Sequence, residues 1–311
     1  NTIGGTNAGD SFDGTNAEKN TLIGYNAGTD ITTADNNTFI GHNVGYDQVS
    51  GYYNTCVGVD IKCGGTAQNN TLIGFQAGRV TRDAGRALVF IGTYAGYNCQ
   101  TAPNNTGIGY MSLYSLTSGI NNAFLGHQAG HNISSGSKNT GLGRKVFDNL
   151  TTGSDNSALG EFAGDTLTTG SNCTFIGHNS VPSSATVDNE ITLGDSNIAT
   201  LRCNTQTISS LSDKRDKTDI NTLDLGLDFV KSLNPVKFKW QTRDGNGKDG
   251  LYEAGFIAQD FQQLQKNNNA DYLKLVMDEN PDRLEASYGK LIPVLVKAIQ
   301  ELTIEVETLK S

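Results

Sequence analysis

A short phrase returns twelve times at a nearly constant interval through the first 200 positions, and that periodicity leaves few folds open. It reads NTIGGTNAG at the start, then NTLIGYNAG, NTFIGHNVG, NTLIGFQAG and NAFLGHQAG. Aligned on the Gly after the aliphatic pair, it falls at Gly5, Gly24, Gly41, Gly58, Gly74, Gly92, Gly109, Gly126, Gly143, Gly160, Gly177 and Gly194. The steps are 19, 17, 17, 16 and 18 residues, then six of 17. The Asp ladder of calcium-binding nonapeptides, the Leu pattern of leucine-rich repeats and the Trp-Asp pair of propellers are all missing. Each repeat is read instead as one coil of a parallel β-roll or β-helix, with Asn and Ile stacked on their own kind.

Within the coil, the residue before the repeat Gly is Ile, Val or Leu in eleven of the twelve copies, as at Ile23, Ile73 and Leu193. Four positions on, a small residue recurs, as at Ala27, Ala77 and Ala163. An even offset places both on one face of an extended strand, so these two sets are the expected core. The intervening Gly, Asn and Asp suit tight turns, which need φ > 0 or local side-chain hydrogen bonds. At about 4.8 Å per coil, twelve coils make a shaft of roughly 55–60 Å. One large and one small apolar side chain per coil is a thin core for a single chain. A homotrimer sharing these faces buries more, so a trimeric shaft is expected over residues 1–199.

The composition changes near residue 205. Of 37 Gly, 31 precede Ser212, where Asn, Thr and Ser are also dense; the remainder is richer in charged residues, Leu and Val. Of the formal net charge of −9, the first 211 residues carry −6 and the rest −3. Neither part offers the basic surface that phosphate backbones require, so no nucleic-acid partner is expected. No apolar run approaches the roughly 18 residues of a membrane helix, so no membrane insertion is expected. Asn1 already lies inside a repeat, and the chain reads as the C-terminal piece of something longer. Cys56, Cys63, Cys99, Cys173 and Cys203 are odd in number and lack metal-ligand spacing; they read as small buried residues, with no disulfide, metal or cofactor expected. Asn-x-Thr triplets recur because the repeat recurs, and are not read as glycosylation sites. His42, His127 and His178 follow the repeat Gly, where other copies carry Tyr25, Phe75 and Tyr110. In a trimer such a ring of histidines could hold an ion on the axis; the simpler reading puts them on the shaft surface, where aromatic and His positions could meet a receptor glycan.

Near the C-terminus, Tyr288, Ile292, Leu295, Ile299, Leu302, Val306 and Leu309 alternate in steps of four and three. That is a heptad seam on a helix of about 289–310, with Lys297, Glu301 and Glu305 off it. Ile and Leu mixed over both seam positions suit a trimeric coiled coil. Pro293 falls in the first turn, where it is tolerated.

Between shaft and helix run LSDKRDKTDI (Leu211 to Ile220), LDFVKSLNPVKFKW, AGFIAQDFQ (Ala254 to Gln262) and SYGKLIPVLVKAIQEL. Together they resemble the intramolecular chaperone of tailed-phage fibres and tailspikes, a peptidase S74-like serine autoprotease found in endosialidase tailspikes. The resemblance covers roughly the last hundred residues. It implies a small α+β chaperone domain over 212–311, after a linker of 200–211, that drives trimerisation and then cleaves itself off. It also implies a serine nucleophile at Ser212 and a lysine general base at Lys217, with the cut at Leu211 or Ser212. The chemistry is consistent: a hydroxyl needs a base, and a desolvated lysine is one. An offset of five does not align two side chains on one helical face, so the pair has to meet in a bent loop. Some relatives carry His before the glycine of the third phrase, where this chain has Ala254, so a further polar group is not expected there.

The reading is therefore a mainly β viral fibre or tailspike subunit, acting outside the cell on the virion, with single-turnover self-cleavage as its only catalysis. Two alternatives stand beside it. A glycan-depolymerising tailspike needs two carboxylates about 5–10 Å apart, whereas Asp30, Asp60, Glu161 and Asp165 show no pairing in the sequence. A bacterial trimeric adhesin has similar head repeats but ends in a membrane strand, not in EVETLKS.

Overall fold

The computed structural model describes residues 1–12, 16–79, 86–198, 200–204, 210–243 and 248–311. It forms two compact units, Asn1–Asp195 and Ser196–Ser311. Residues 205–209 of the expected linker lie outside the described residues.

The first unit is a parallel β-solenoid. Among the described residues its twelve strands are β1 (Thr2–Gly4), β2 (Thr21–Ile23), β3 (Thr38–Val44), β4 (Thr55–Ile61), β5 (Thr71–Phe75), β6 (Val89–Ile91), β7 (Thr106–Ile108), β8 (Ala123–Leu125), β9 (Thr140–Leu142), β10 (Ser157–Leu159), β11 (Thr174–Ile176) and β12 (Ile191–Leu193). They pair in strict chain order. Register matches the repeat residue for residue: Thr21 pairs with Thr38, Leu22 with Phe39 and Ile23 with Ile40.

Two side-chain features hold the turns at this spacing. The first is a column of buried asparagines. Asn37 N–H donates to Asn20 Oδ1 at 2.9 Å, Asn54 N–H to Asn37 Oδ1 at 3.0 Å, and Asn139 N–H to Asn122 Oδ1 at 2.9 Å. The side-chain amide of Asn37 also donates to Gly51 O at 3.0 Å, so a buried polar group is satisfied twice. The second is the repeat Gly itself. Gly24 has φ +131°, and a Cβ there would lie 1.9 Å from Gly41 O in the next turn. Both the backbone angle and the close approach require glycine.

The core departs from the expected one in a specific way. Ala27, Ala77 and Ala163 are fully buried, as expected. Ile23 and Leu193 are not: they are 43% and 49% exposed. The large buried side chain is the residue before them, Leu22, Phe39, Leu72, Phe90, Phe124 and Phe175 among the copies. The parity rule assumes an unbroken strand between positions. Here the strand stops at Ile23, and Gly24 and then Asn26 (φ 53°) turn the chain, so the even offset no longer means a shared face. The inner position also varies more, with Gly107, Gly141 and Ala158 taking turns with phenylalanine. A Cβ on Gly141 would sit 2.5 Å from Phe124 Cε1, so the glycines make room for neighbouring rings. Phe124→Ala therefore empties a site that glycine-bearing neighbours cannot refill. It is expected to destabilise the shaft by about 3–5 kcal/mol, read by denaturant unfolding.

Cys56, Cys63, Cys99 and Cys173 are buried and Cys203 is exposed. Burial pushes the Cys99 thiol up to about 12, which leaves it un-ionised at neutral pH.

The second unit is small and α+β. Helix α1 (Leu227–Lys231) is followed by an antiparallel pair, β13 (Val236–Lys239) and β14 (Tyr252–Gly255). Helix α2 (Ala258–Asn267) and the short pair β15 (Val276–Met277) and β16 (Glu285–Ala286) come next. A 3-10 turn, Tyr288–Leu291, leads straight into α3 (Ile292–Lys310), with Pro293 in its first turn as expected. Leu225, Phe229, Phe261, Leu273, Leu275, Leu291 and Val294 form the core.

Helix α3 shows two faces. Leu291, Val294 and Ala298 are buried in its own unit. One turn on, Glu301 Oε2 accepts the Leu227 N–H at 2.7 Å, and Lys297 Nζ lies 3.3 Å from Glu301 Oε1. The Leu227 N–H, and secondarily Lys297, hold the Glu301 carboxyl below its usual range. The heptad positions Tyr288, Ile292, Leu295, Ile299, Leu302, Val306 and Leu309 all lie on the exposed side.

Candidate functional site

Ser212 sits just before a single 3-10 turn, Lys214–Asp216. Asp213 caps that turn, its Oδ1 accepting the Arg215 N–H at 2.8 Å. The Arg215 guanidinium reaches back to Asp213 Oδ2 at 2.6 Å and holds its carboxyl below the usual range. Asp216 N–H donates to Asp213 O at 3.2 Å and Lys217 N–H to Lys214 O at 3.2 Å, which reverses the chain within five residues. The reversal brings the expected pair together. Lys217 Nζ lies 2.5 Å from Ser212 Oγ and 3.2 Å from Ser212 O. This is hydrogen-bond reach for proton transfer from hydroxyl to amine. Leu211 is 95% exposed, and Ser212 and Lys217 are exposed too. Ala254 lies on β14 and lines a cleft of about 400 Å³ with Pro235, Phe256 and Tyr288.

Tyr288 has a role the heptad pattern did not suggest. Its hydroxyl accepts the Phe256 N–H at 3.1 Å and returns a bond to Phe256 O at 3.3 Å, clamping the third of the four phrases to the start of the last helix. The residues are 32 apart in sequence, so no local signal marks the contact.

On the solenoid, His42 stacks on Tyr25 and His127 on Tyr110, both with ring centroids 5.2 Å apart, and His178 meets Phe162 edge-on at 6.5 Å. Among the described residues no group of three or more His, Cys, Asp or Glu side chains is placed to hold a metal. A second stack, Tyr97, Tyr114 and His131, runs parallel to the first, with centroids 5.1 and 5.3 Å apart. Tyr94 joins the two columns, meeting Phe75 at 5.4 Å and Tyr97 at 5.7 Å. It stands where most other turns place Asn or Gln, and so turns separate stacks into one aromatic patch. Asp165 also feels a carboxylate of the preceding turn. Burial and then Asp148, one turn earlier, push the Asp165 carboxyl up, while Lys145 holds Asp148 at 3.2 Å.

Among the described residues no helix is long and apolar enough to cross a membrane. No curated protein and no solved structure matches the chain. Residues 212–269 match the family model of peptidase S74, the chaperone of endosialidase, and the match begins on the serine that Lys217 contacts. Residues 212–269, which follow the solenoid in the chain, are thus similar to the chaperone of endosialidase, and a β-solenoid followed by such a chaperone fits a tailspike or tail fibre.

Proposed function

We propose that this chain is one subunit of a homotrimeric viral tail fibre or tailspike, carried on the virion and used to contact a host surface. Its C-terminal domain registers three chains and then cuts itself off at Ser212. The observation that carries this reading is the two-faced last helix. Its Val294 and Ala298 side packs within the unit, while six heptad positions, Ile292 to Leu309, stay exposed along its length. Such a seam is the surface a parallel coiled coil uses.

The Ser212–Lys217 contact supports the self-cleaving part. Lys217 takes the hydroxyl proton, and Ser212 Oγ attacks the carbonyl carbon of Leu211. The Leu211–Ser212 peptide bond breaks with its nitrogen taking up a proton, and water hydrolyses the resulting ester. An amine serves as a base only when desolvated, and Lys217 is exposed in one chain. Partner chains supply the cover, so cleavage reports correct assembly. For host contact, the joined rings around the half-buried Tyr94, with Phe75 and Tyr110 exposed at its sides, are the aromatic surface best suited to a receptor or glycan.

The test compares the full chain with one ending at Leu211, by light scattering. The truncated shaft is expected as monomer or aggregate. A soluble trimer from it would overturn the reading.

A further inference from the structure

A solenoid strand has an inner and an outer side, and here both are apolar. The inner residues, Leu22 to Phe175, are consumed by the core. On the outer side, the residue before each repeat Gly forms a second column: Ile23, Ile40, Val57, Ile73, Ile91, Ile108, Leu125, Leu142, Leu159, Ile176 and Leu193. Strand pairing sets these directly above one another, as with Leu125 on Leu142 and Leu159 on Ile176. Leu125, Leu142, Leu159 and Leu193 are each 44–49% exposed. The column is flanked by a second one of small, mostly threonine side chains, among them Thr21, Thr38, Thr106, Thr140 and Thr174.

Such a stripe is unusual on a chain that stands alone. Half-exposed aliphatic side chains over eleven turns amount to on the order of 800 Å², about what one partner contributes to a standard interface and beyond the usual apolar patch of a monomer. Its shape selects the occupant. The stripe is one side chain wide and repeats at the rise of one coil, about 4.8 Å. A partner meets every rung only if its own apolar groups repeat at that rise. The same column on another copy does so without adjustment.

We propose that this outer aliphatic column is where the shafts of the homotrimer meet, rung against rung around their common axis. The inference rests on the trimer proposed above, and adds which face of each shaft turns inward. It assigns the uniform Ile, Leu and Val at this position to contact between chains.

Single cysteines test it in the full-length chain with Cys203→Ser. Leu125→Cys, Leu142→Cys and Leu159→Cys lie on the column; Ser135→Cys and Lys138→Cys lie elsewhere on the coil and are exposed. All five sites are accessible in one chain, so folding is little disturbed. Under mild oxidation, the column cysteines are expected to form disulfide-linked pairs of chains at least about tenfold faster than the two controls, because neighbours on an axis meet at millimolar effective concentration. Light scattering on the same samples gives the oligomeric state. A trimer whose column cysteines link no faster than the controls would sink this placement and leave the trimer standing. Monomeric chains would overturn both.

Discussion

Freshly made wild-type chain is expected to divide into residues 1–211 and 212–311, while Ser212→Ala and Lys217→Ala remain whole. Intact-mass spectrometry of the three proteins reads the result directly. Lys217 Nζ lies 2.5 Å from Ser212 Oγ. Removing the hydroxyl leaves no nucleophile, and cleavage stops. Removing the amine leaves a nucleophile without its base, a loss of about 10²–10⁴ in rate. Lys217→Arg separates base from charge. Its guanidinium keeps the positive charge but does not give up its proton, so this variant is also expected to stay whole. Normal cleavage by Lys217→Arg would mean that Lys217 acts only as a cation near Ser212 O, which it also contacts at 3.2 Å. A wild-type chain that stays uncut yet assembles as a trimer would make the domain a permanent cap.

The second large effect concerns the exposed seam of α3. Ile299→Lys with Leu302→Lys is expected to turn a trimer into monomers, measured by sedimentation at micromolar concentration. Within one chain, Ile299 and Leu302 are 63% and 48% exposed and make no part of the core, so the helical circular dichroism should be kept. In a three-stranded coil the same two positions bring six ammonium groups to the axis. Each buried ion costs several kcal/mol, and like charges add to it, so association weakens by far more than a thousandfold. Glu305→Lys makes a comparable charge change off the seam and is expected to stay trimeric. Self-cleavage links the two predictions: if partner chains cover Lys217, the seam variant should also stop cutting itself, although Ser212 and Lys217 are untouched.

Parts of this molecule were legible in its sequence for identifiable reasons. The repeat announced the solenoid because parallel stacking places like on like, so Thr21, Thr38 and Thr55 had to recur. The offset of five between Ser212 and Lys217 excluded a helical face and required the bend that the Lys214–Asp216 turn provides. The heptad gave the last helix and its exposed seam. What it did not give was the adjacent face, where Glu301 ties down the start of α1 from 74 residues away. Half of the expected core was legible, the Ala27, Ala77 and Ala163 set, and the other half was misplaced, because the uniform Ile and Leu looked like core and the variable Leu, Phe, Cys and Gly did not. On the placement proposed above, that uniformity answers a demand from outside the coil. The patch around Tyr94 was also hidden, since its rings come from separate turns and meet only when the coils stack.

From Asn105 to Asn156 each turn hands the next the same Asn amide and the same glycine carbonyl, in the same place, whereas Leu88 and Cys173 stand in the column elsewhere. That stretch of the shaft therefore repeats one backbone register. Removing a whole 17-residue unit, such as 126–142, would join Leu125 to Gly143 where Gly126 now follows it and keep that register, but would set Ala158 over Phe124 in place of Gly141. Length in this protein is thus a count of coils that share one backbone register, while the inner side chains of each coil are fitted to its neighbours.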